Sequence, residues 1–493
     1  MNKFFKENKV FLVLLLIAVA IRLVNINIPI LEGTATRQIQ TAMIARNFYL
    51  NGFNFLYPQV DFLGPGPGYV ILEFPLLNLI AAVLYVLCGG VHEWIGRLIS
   101  ISFFAGAVIF LFNLIKRLFE ERTALVTIVI FSISPLGLIY SRAFMPDFEM
   151  MFFFIGALYF MYLWSLGDKD RFFWLSAVFA MMALLSKIQA FCICIPLLAM
   201  IWQRQHLSFL FKARSWAYLL IVLIPVLLWY MHARSVHQVY SQSHEYAFQI
   251  STWFSPSLFI SPKYLIKVFE NGWMQMLTPV GFTLFLFGLF LKTDSQQGKI
   301  LRAWLCGTVV YMIAFCTHMD DPYYNLLFLP ITSIFAARAV VWIWQHASGE
   351  MIFLNSRFAR IMGVVLLLIL IGRYAAYAYT VPRGYRHIPM LAETIEQMTD
   401  KNDLLITSIP DGHATHYYSN RKGWSFGLPG NDPEKTKEAI VRIEALQKEG
   451  AKYFVSVCED FLKQSVDFQH YLRSRYIVIK EEPGLYSIFL LKL

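Results

Sequence analysis

The chain has 493 residues, of which 57% are hydrophobic and only 15% are charged, and its mean hydropathy is +0.54. These values exclude an ordinary soluble protein of this length and predict a polytopic membrane protein. The formal net charge of +10 does not indicate nucleic-acid binding, because the Lys and Arg residues fall in short clusters between apolar runs, as they do in membrane loops. The six cysteines show neither a disulfide framework nor a metal-ligand spacing.

Apolar runs follow one another along the first three quarters of the chain. About 20 apolar residues cross a bilayer as a helix. Twelve runs are candidates: 10–30, 71–90, 97–115, 123–140, 148–166, 172–186, 188–203, 215–232, 276–291, 303–317, 323–344 and 361–380. The first is too long for a signal-peptide core and no small-residue cleavage site follows it, so we interpret it as an uncleaved first span.

The distribution of basic residues predicts the orientation of these runs. Lys3, Lys6 and Lys9 place the N-terminus in the cytoplasm. If the run 71–90 crossed the membrane, the basic stretch "IKRLFEERT" (115–123) would lie outside, against the rule. We therefore expect 71–90 to lie along the outer surface or to re-enter without crossing. The prediction is about eleven transmembrane helices in residues 1–384, with a first external loop, 31–95, that carries surface-lying helices.

The tail has a different pattern from the rest of the chain. "NDLLITSIP" (402–410), "AKYFVSVCED" (451–460), "RYIVIKEEP" (475–483) and "LYSIFLLKL" (485–493) are typical of strands. Residues 432–450 have apolar residues at helical spacing and end at a glycine. The sequence thus predicts a small α/β domain at 385–493, on the extracytoplasmic side.

Charged residues persist at the edges of the outward-facing loops. A charge at bilayer depth costs about 2.5–3.5 kcal/mol on insertion scales, so charges that persist there usually line a cavity or a ligand path. A lipid-phosphate leaving group needs Lys or Arg to neutralise it, and an acceptor hydroxyl or amine needs a carboxylate to remove its proton. Both kinds are present: Glu32, Arg37, Glu73, Arg142, Asp147, Glu149, Lys187, His318, Asp320 and Asp321.

Each of these residues also has a simpler interpretation. Arg142 could anchor the headgroup region, and Asp147, which follows Pro146, could stabilise the first turn of the next helix. Glu32 could be solvated surface and Lys187 could extend to the interface. For Glu73, inside an apolar run, a solvated position is a weak explanation.

"HMDDPYY" (318–324) offers His318, Asp320 and Asp321 as ligands for a hydrated divalent cation. Loops with two carboxylates are too common to establish a metal site. We therefore assign no metal ligands, and a divalent cation is the only cofactor considered.

Several stretches resemble, in order, the GT-C superfamily of integral-membrane glycosyltransferases, in the branch of protein O-mannosyltransferases and lipid A aminoarabinose transferases. The resemblance spans about residues 8–385. It is carried by "RQIQTAMIARNFYLNG" (37–52), "EFPLLNLIAAVLYVL" (73–87), "EWIGRLIS" (93–100), "SPLGLIYSRAFMPDFEMMFFF" (134–154), "LLSKIQAFCICIPLL" (184–198) and "DPYYNLLFLPI" (321–331).

The resemblance implies a polyprenyl-phosphate-linked sugar donor and two acids in successive external loops. Asp147 corresponds to the second-loop acid, and Lys187 resembles the residue near the donor phosphate. At the start of the "IAR" helix, where many relatives have an acidic pair, this chain has Arg37, Gln38 and Gln40. The first-loop base is then Glu32, Glu73 or a residue that the sequence does not identify.

The sequence thus predicts a glycosyltransferase that moves a sugar from a polyprenyl-phosphate donor to a lipid, glycan or protein acceptor. The enzyme is expected to lie in the bacterial inner membrane, in contact with its lipids, and to act at the outer face. Arg37, Arg142, His318 and Tyr324 are further candidate substrate-binding residues. The alternative is a transporter or flippase of lipid-linked saccharide. Such proteins usually show internal repeats and polar residues at the membrane midplane, and neither is visible here.

Overall fold

The computed structural model describes residues 8–33, 35–167, 169–240, 253–293, 296–346, 369–409 and 412–491. The chain divides into two compact units. Unit 1 consists of Met1–Ile26, Trp94–His232 and Phe248–Tyr379. Unit 2 consists of Asn27–Glu93, Ala233–Ala247 and Thr380–Leu493. Each unit is described by itself below.

The described residues are mostly helical. The α-helices are, in chain order, α1 (Lys9–Leu23), α2 (Ala35–Asn51), α3 (Leu76–Cys88), α4 (Glu93–Leu118), α5 (Glu121–Ile133), α6 (Pro135–Tyr140), α7 (Asp147–Ser165), α8 (Arg171–Ser186), α9 (Cys194–Gln205), α10 (Ala213–Tyr240), α11 (Pro262–Lys267), α12 (Gln275–Phe290), α13 (Gln296–Ala314), α14 (Leu329–His346), α15 (Ile388–Met398), α16 (Gly412–Ser419), α17 (Pro433–Lys448), α18 (Glu459–Lys463) and α19 (Val466–Arg475). The strands are β1 (Leu63–Gly64), β2 (Leu404–Ser408), β3 (Gly423–Phe426), β4 (Ala451–Ser456), β5 (Ile477–Glu482) and β6 (Tyr486–Leu490).

Within the described ranges, five helical stretches are long and apolar enough to cross a membrane. They are Glu93–Leu118, Asp147–Ser165, Ala213–Tyr240, Pro262–Phe290 and Pro322–His346. They agree with the multi-pass membrane protein that the composition predicts. The total of eleven crossings stays a prediction, because part of the last predicted run, 361–380, lies outside the described residues.

The run predicted not to cross forms the short helix α3. Its 13 residues span about 20 Å at 1.5 Å per residue. The hydrocarbon core of a bilayer is about 30 Å thick, so this helix alone is too short to cross it. Pro75 precedes the helix, and Gly89 ends it in a left-handed conformation (φ 74°). The length of α3 therefore supports a surface-lying or re-entrant segment.

Two glycines in unit 1 allow an aromatic ring to pack directly against the backbone of a helix. A Cβ at Gly156 of α7 would lie 2.4 Å from the Phe179 ring of α8, and a Cβ at Gly106 of α4 would lie 2.5 Å from the Phe152 ring. Neither position accepts a larger side chain without movement of a ring. Small residues play this part at many helix contacts in membranes, where close van der Waals packing drives association.

Three buried arginines connect separate segments of unit 1 through backbone carbonyls. Arg22 of α1 donates to Ser132 O (2.9 Å), and Arg97 of α4 donates to Ile26 O (2.8 Å). Arg142 donates to Ala378 O (2.8 Å) and Asn25 O (3.0 Å). The guanidinium group carries five donors in a planar fork, which suits it to join several carbonyls at once.

Unit 2 contains a six-stranded sheet with the order β1-β3-β2-β4-β6-β5. Strands β3, β2 and β4 pair parallel with one another. Strand β1 pairs antiparallel with β3, and β6 pairs antiparallel with both β4 and β5. The four strands predicted in the tail are β2, β4, β5 and β6. The sequence analysis missed β3 and β1, and β1 comes from the first external loop. The division of domains at residue 385 stays a prediction, since unit 2 also includes Asn27–Glu93.

The sheet and the helices of the tail share one hydrophobic core. Asp432 caps α17 by accepting from the backbone N–H of Glu434 (3.0 Å), and Pro433 occupies the first turn, where its missing N–H costs nothing. The amphipathic helix predicted at 432–450 is therefore confirmed as α17. Its residue Ile443 packs in a buried cluster with Phe426, Phe454 and Phe468.

A buried histidine in α16 makes unit 2 sensitive to acid. His413 is buried, its ring lies 4.0 Å from that of Phe62 between centroids, and its Nδ1 has no hydrogen-bond partner within the described residues. Burial, with a smaller repulsion from His416, lowers the pKa of His413 from 6.5 to about 4. Between these pH values the unfolded chain binds a proton that the folded chain does not.

We predict that neutral His413 contributes its full stabilisation to unit 2 above about pH 6.5. The free energy of unfolding of unit 2 should fall by about 2 kcal/mol between pH 7 and pH 5. Hydrogen exchange of β2 and β3 in the full chain in detergent measures this loss. His413→Gln should flatten the pH dependence, whereas His470→Gln, at an exposed position on α19, should leave it unchanged. Equal pH dependence in all three proteins would contradict the prediction.

Candidate functional site

Two acidic residues lie in the first turn of α7. Asp147 and Glu149 directly follow Pro146, whose fixed φ suits the start of a helix. The positive end of the helix dipole stabilises negative charge at this position. Both side chains are buried, at 1% exposure each, so their charges need partners within the protein.

Lys187 supplies one of these partners. Helix α8 ends at Ser186, and the backbone of Lys187 is extended (φ −158°, ψ 126°) before the 3-10 helix Ile188–Ile193. The Lys187 Nζ donates to Asp147 Oδ1 at 2.7 Å, and both groups are buried. The neighbouring Ser186 hydroxyl donates to Glu149 Oε1 at 2.6 Å. Two adjacent residues at the end of α8 thus engage both acids of α7.

The ion pair leaves one carboxylate oxygen available. Asp147 Oδ2 is buried and has no hydrogen-bond partner among the described residues. The ammonium of Lys187 also lies 4.8 Å from the ring centroid of Tyr323, a distance at which a cation is attracted to the ring face. A hydrophobic pair of the same volume is often as stable as a buried ion pair. Stability alone therefore does not account for charges at these positions.

We predict that Lys187→Met lowers the free energy of unfolding by about 3–5 kcal/mol, because it leaves a buried carboxylate without its counter-ion. Denaturant unfolding of the full chain in detergent measures the loss. The double variant Lys187→Met/Asp147→Leu should lose much less, and Lys169→Met, at an exposed lysine, serves as the control. A double variant that is as unstable as Lys187→Met would contradict the prediction.

The loop before α14 brings together two of the predicted substrate-binding residues. The rings of His318 and Tyr324 lie 5.0 Å apart between centroids. The His318 Nδ1 is 2.8 Å from Thr317 Oγ1, and burial lowers the pKa of this histidine. The backbone carbonyl of Tyr324 accepts from the Tyr311 hydroxyl at 2.9 Å.

The acids of this loop do not form a metal cluster. Asp320 pairs with Lys267 at 2.7 Å, and burial raises the pKa of Asp321, helped by repulsion from Asp320. Among the described residues, no group of three or more His, Cys, Asp or Glu side chains is arranged to hold a metal ion. The divalent cation considered above therefore has no assigned ligands in this part of the chain.

Unit 2 holds the two first-loop acids. The carboxylate of Glu73 accepts from Arg37 at 2.7 Å, and both side chains are 22% exposed. Arg37 lies in the first turn of α2 and also donates to Gln40 Oε1 (3.1 Å). Glu32 is buried in the turn before α2, where its backbone carbonyl accepts from Gln38 Nε2 at 2.8 Å. Glu73 is thus held at the first turn of α2.

Unit 1 contains a cavity of about 450 Å³. Its wall is almost entirely apolar and comes from α8, the 3-10 helix after Lys187, α9 and α10. Leu184 and Ile188 line it on either side of the lysine in sequence, and Phe173 and Trp216 line it further along α8 and α10. A volume of this size falls in the range of about 300–1,000 Å³ that ligand sites occupy.

Comparison with known proteins identifies relatives of this fold. Residues 73–229, less than half of the chain, match the family model of dolichyl-phosphate-mannose-protein mannosyltransferases. ArnT from Cupriavidus metallidurans, solved with bound undecaprenyl phosphate, superposes with a TM-score of 0.64 at 15% identity over 98% of both chains. The oligosaccharyltransferase of Archaeoglobus fulgidus gives 0.58 at 14% identity, over 92% of this chain and 70% of that one. No curated protein sequence matches the chain.

The chain has the GT-C glycosyltransferase fold. The resemblance drawn from its motifs is therefore confirmed. At these identities the likeness establishes the fold alone. The stretch of this GT-C chain that matches the mannosyltransferase model contains Glu73, Arg142, Asp147 and Lys187, whereas Glu32 and Arg37 precede it.

Six of the eight predicted site residues form three pairs, and two do not. The structure brings together Asp147 with Lys187, Glu73 with Arg37, and His318 with Tyr324. The first exception is Glu32, which is buried in the turn before α2. The second is Arg142, which is buried, donates to backbone carbonyls and lies 4.5 Å from the centroid of the Tyr379 ring.

Sequence reasoning missed Tyr323, whose ring faces Lys187, and the bond between Ser186 and Glu149. Tyr323 and Tyr324 are adjacent in "DPYY", and the sequence does not distinguish which of the two approaches Lys187. The position of Ser186, next to Lys187, was the available signal for the second pair.

Proposed function

We propose that this protein is a glycosyltransferase that moves a sugar from a polyprenyl-phosphate-linked donor to a lipid, glycan or protein acceptor at the outer face of the cytoplasmic membrane. The observation that carries the proposal is the buried pair of Asp147 and Lys187, in which Oδ2 of Asp147 has no hydrogen-bond partner among the residues that the structure describes. The fold supports it, because the chain superposes on ArnT, which was solved with undecaprenyl phosphate.

In this proposal Lys187 binds the donor phosphate. An ammonium is a compact cation suited to a phosphate oxygen, and burial strengthens the attraction because the surrounding dielectric is low. The apolar cavity of unit 1 suits an isoprenoid tail, since its wall exposes almost no polar group. A charged head at Lys187 and an apolar tail in the cavity would together select a lipid-linked phosphate.

We assign Glu73 as the first-loop base, in preference to Glu32. The base must reach a substrate, and the Glu73 side chain is partly exposed whereas Glu32 is buried. Arg37 holds the Glu73 carboxylate at the first turn of α2. In this chain Arg37 stands where the resemblance leads us to expect an acid. In our proposal Glu73, from the segment before α3, supplies the missing carboxylate.

The chemical step is a displacement at the anomeric carbon of the sugar. The acceptor oxygen or nitrogen forms a bond to this carbon while the carbon–oxygen bond to the phosphate breaks, and the phosphate leaves with the electron pair. A carboxylate takes the acceptor proton, and Lys187 neutralises charge on the leaving phosphate. Displacement from the opposite side inverts the anomeric configuration.

The transporter alternative has no finding in its favour. The relatives named above include an oligosaccharyltransferase, and residues 73–229 of this chain match a mannosyltransferase model. A transporter would also not need a carboxylate that is positioned to accept a proton from an acceptor.

We predict that Asp147→Asn and Glu73→Gln each reduce turnover by about 100-fold or more, in the range for loss of a general base or of a group that positions the reactants. Release of sugar from a polyprenyl-phosphate donor by the purified chain in detergent measures turnover. Glu32→Gln should retain most activity, and Glu434→Gln, at an exposed acid on α17, is the matched control.

Unchanged turnover in both Asp147→Asn and Glu73→Gln would contradict the catalytic assignment. A large loss in Glu32→Gln alone would move the base to Glu32. No turnover with any polyprenyl-phosphate donor would favour the transporter.

We also propose that the N-terminus is cytoplasmic and unit 2 extracytoplasmic. In a variant without native cysteines, we predict that a membrane-impermeant maleimide labels Lys437→Cys from outside the cell and labels Lys169→Cys only in inverted vesicles. Both positions are exposed, so labelling reports the side of the membrane and not burial. Labelling of the two positions from the same side would contradict this topology.

A further inference from the structure

Unit 2 contains a second cavity, and no step of the proposed reaction uses it. Its volume is about 540 Å³, within the range of small-molecule sites. It lies where the parallel strands β2 and β3 begin and where α2 ends, and its wall includes Asn51 from α2 and Asn402 and Lys422 from the segments before the two strands. We call it the amide cleft.

The charge of the amide cleft is positive. Lys401, Arg421 and Lys422 line it, with Asp61 as the one carboxylate among the lining residues. Asp61 is buried and already neutralised, because Arg46 forms an ion pair with it and Asn47 donates to its Oδ1 at 3.1 Å. The net charge offered to a ligand therefore comes from the cations.

The two lysines keep donors for a ligand, whereas Arg421 does not. The guanidinium of Arg421 donates to Ser419 O (3.0 Å), Thr399 O (3.0 Å) and Thr399 Oγ1 (3.1 Å). Lys422 donates to Gly66 O at 3.1 Å, which leaves two of its three hydrogens. Lys401 is exposed and makes no ion pair within the described residues. The cleft thus presents two separate ammonium groups.

Side-chain amides supply the remaining polarity. Asn51, Asn402 and Asn420 line the cleft and are exposed. Each amide has both donors and an acceptor, which matches a sugar hydroxyl, itself a donor and an acceptor. Asn420 has a left-handed backbone (φ 49°), a conformation that Asn tolerates better than most residues. An amide is therefore compatible with the turn that places this side chain in the cleft.

We propose that the amide cleft binds an acidic saccharide, that is, a sugar bearing a phosphate or carboxylate group. Lys401 and Lys422 pair with the acidic group, and the Asn amides bind the sugar hydroxyls. The site stands on the geometry of unit 2 alone. Only the interpretation of this saccharide as the glycan acceptor of the reaction rests on the function proposed above.

Saturation-transfer NMR on the full chain in detergent tests the cleft with four probes: glucose 6-phosphate, glucuronate, glucose and inorganic phosphate. We predict that glucose 6-phosphate and glucuronate bind and that Lys401→Ala/Lys422→Ala weakens both by roughly tenfold or more, as expected for loss of a charge-assisted hydrogen bond. Asn420→Gly, which preserves the left-handed turn, should weaken both acidic sugars without changing thermal stability.

The matched control is Lys437→Ala/Lys480→Ala, which removes the same charge from exposed positions of unit 2 outside the cleft. Equal affinity in the two double variants would overturn the proposal. Inorganic phosphate that binds as tightly as glucose 6-phosphate would overturn its saccharide part, and glucose that binds as tightly would overturn its acidic part. Donor hydrolysis should be unchanged in Lys401→Ala/Lys422→Ala and lost in Asp147→Asn, so a failure of the cleft is distinguishable from a failure of the proposed function.

Discussion

The ion pair between Asp147 and Lys187 is the interaction on which the chemistry proposed for unit 1 depends. Both groups are buried in a unit made mostly of apolar helices, where an isolated charge costs several kcal/mol. The start of α7 and the end of α8 meet at this pair, and the dipole of α7 further favours the carboxylate. Because Oδ2 of Asp147 has no hydrogen-bond partner among the described residues, the proposed reaction can use this oxygen without breaking the ion pair.

The buried cations of unit 1 serve two different purposes, and their side-chain chemistry explains the difference. Arg22, Arg97 and Arg142 use their planar guanidinium groups to join backbone carbonyls of distant segments. Lys187 has a single ammonium centre, which pairs with one carboxylate and approaches one aromatic ring. A lysine can exchange such partners for a phosphate oxygen with less loss of structure than an arginine that holds three segments together.

In unit 2 the segment predicted to be the first external loop packs with the tail. Strand β1, only two residues long, pairs with β3 and so connects the loop to the sheet. Arg46 of α2 likewise pairs with Asp61 and donates to the backbone carbonyl of Tyr417 in α16. The amide cleft and the buried His413 both arise from this joint packing, which explains why neither has a signature in the local sequence.

Composition and periodicity were sufficient for the class of the protein and for most of its elements. Hydrophobic runs predicted the long helices, alternation predicted β2, β4, β5 and β6, and helical spacing with a terminal glycine predicted α17, because these features follow from which face of each segment must be buried. The order of the motifs predicted the GT-C fold. Sequence alone could also single out Asp147, Lys187 and Glu73, since charges in apolar runs are costly.

Only the tertiary structure decided which partners these charges have. Lys187 is forty residues from Asp147, and Glu73 is thirty-six from Arg37, so their pairing depends on how the helices pack and not on local spacing. The same applies to Arg142, whose neighbours in sequence suggested a lipid headgroup but whose guanidinium bonds to carbonyls at residues 25 and 378. A sequence shows that a buried charge needs compensation, but packing in three dimensions determines which group provides it.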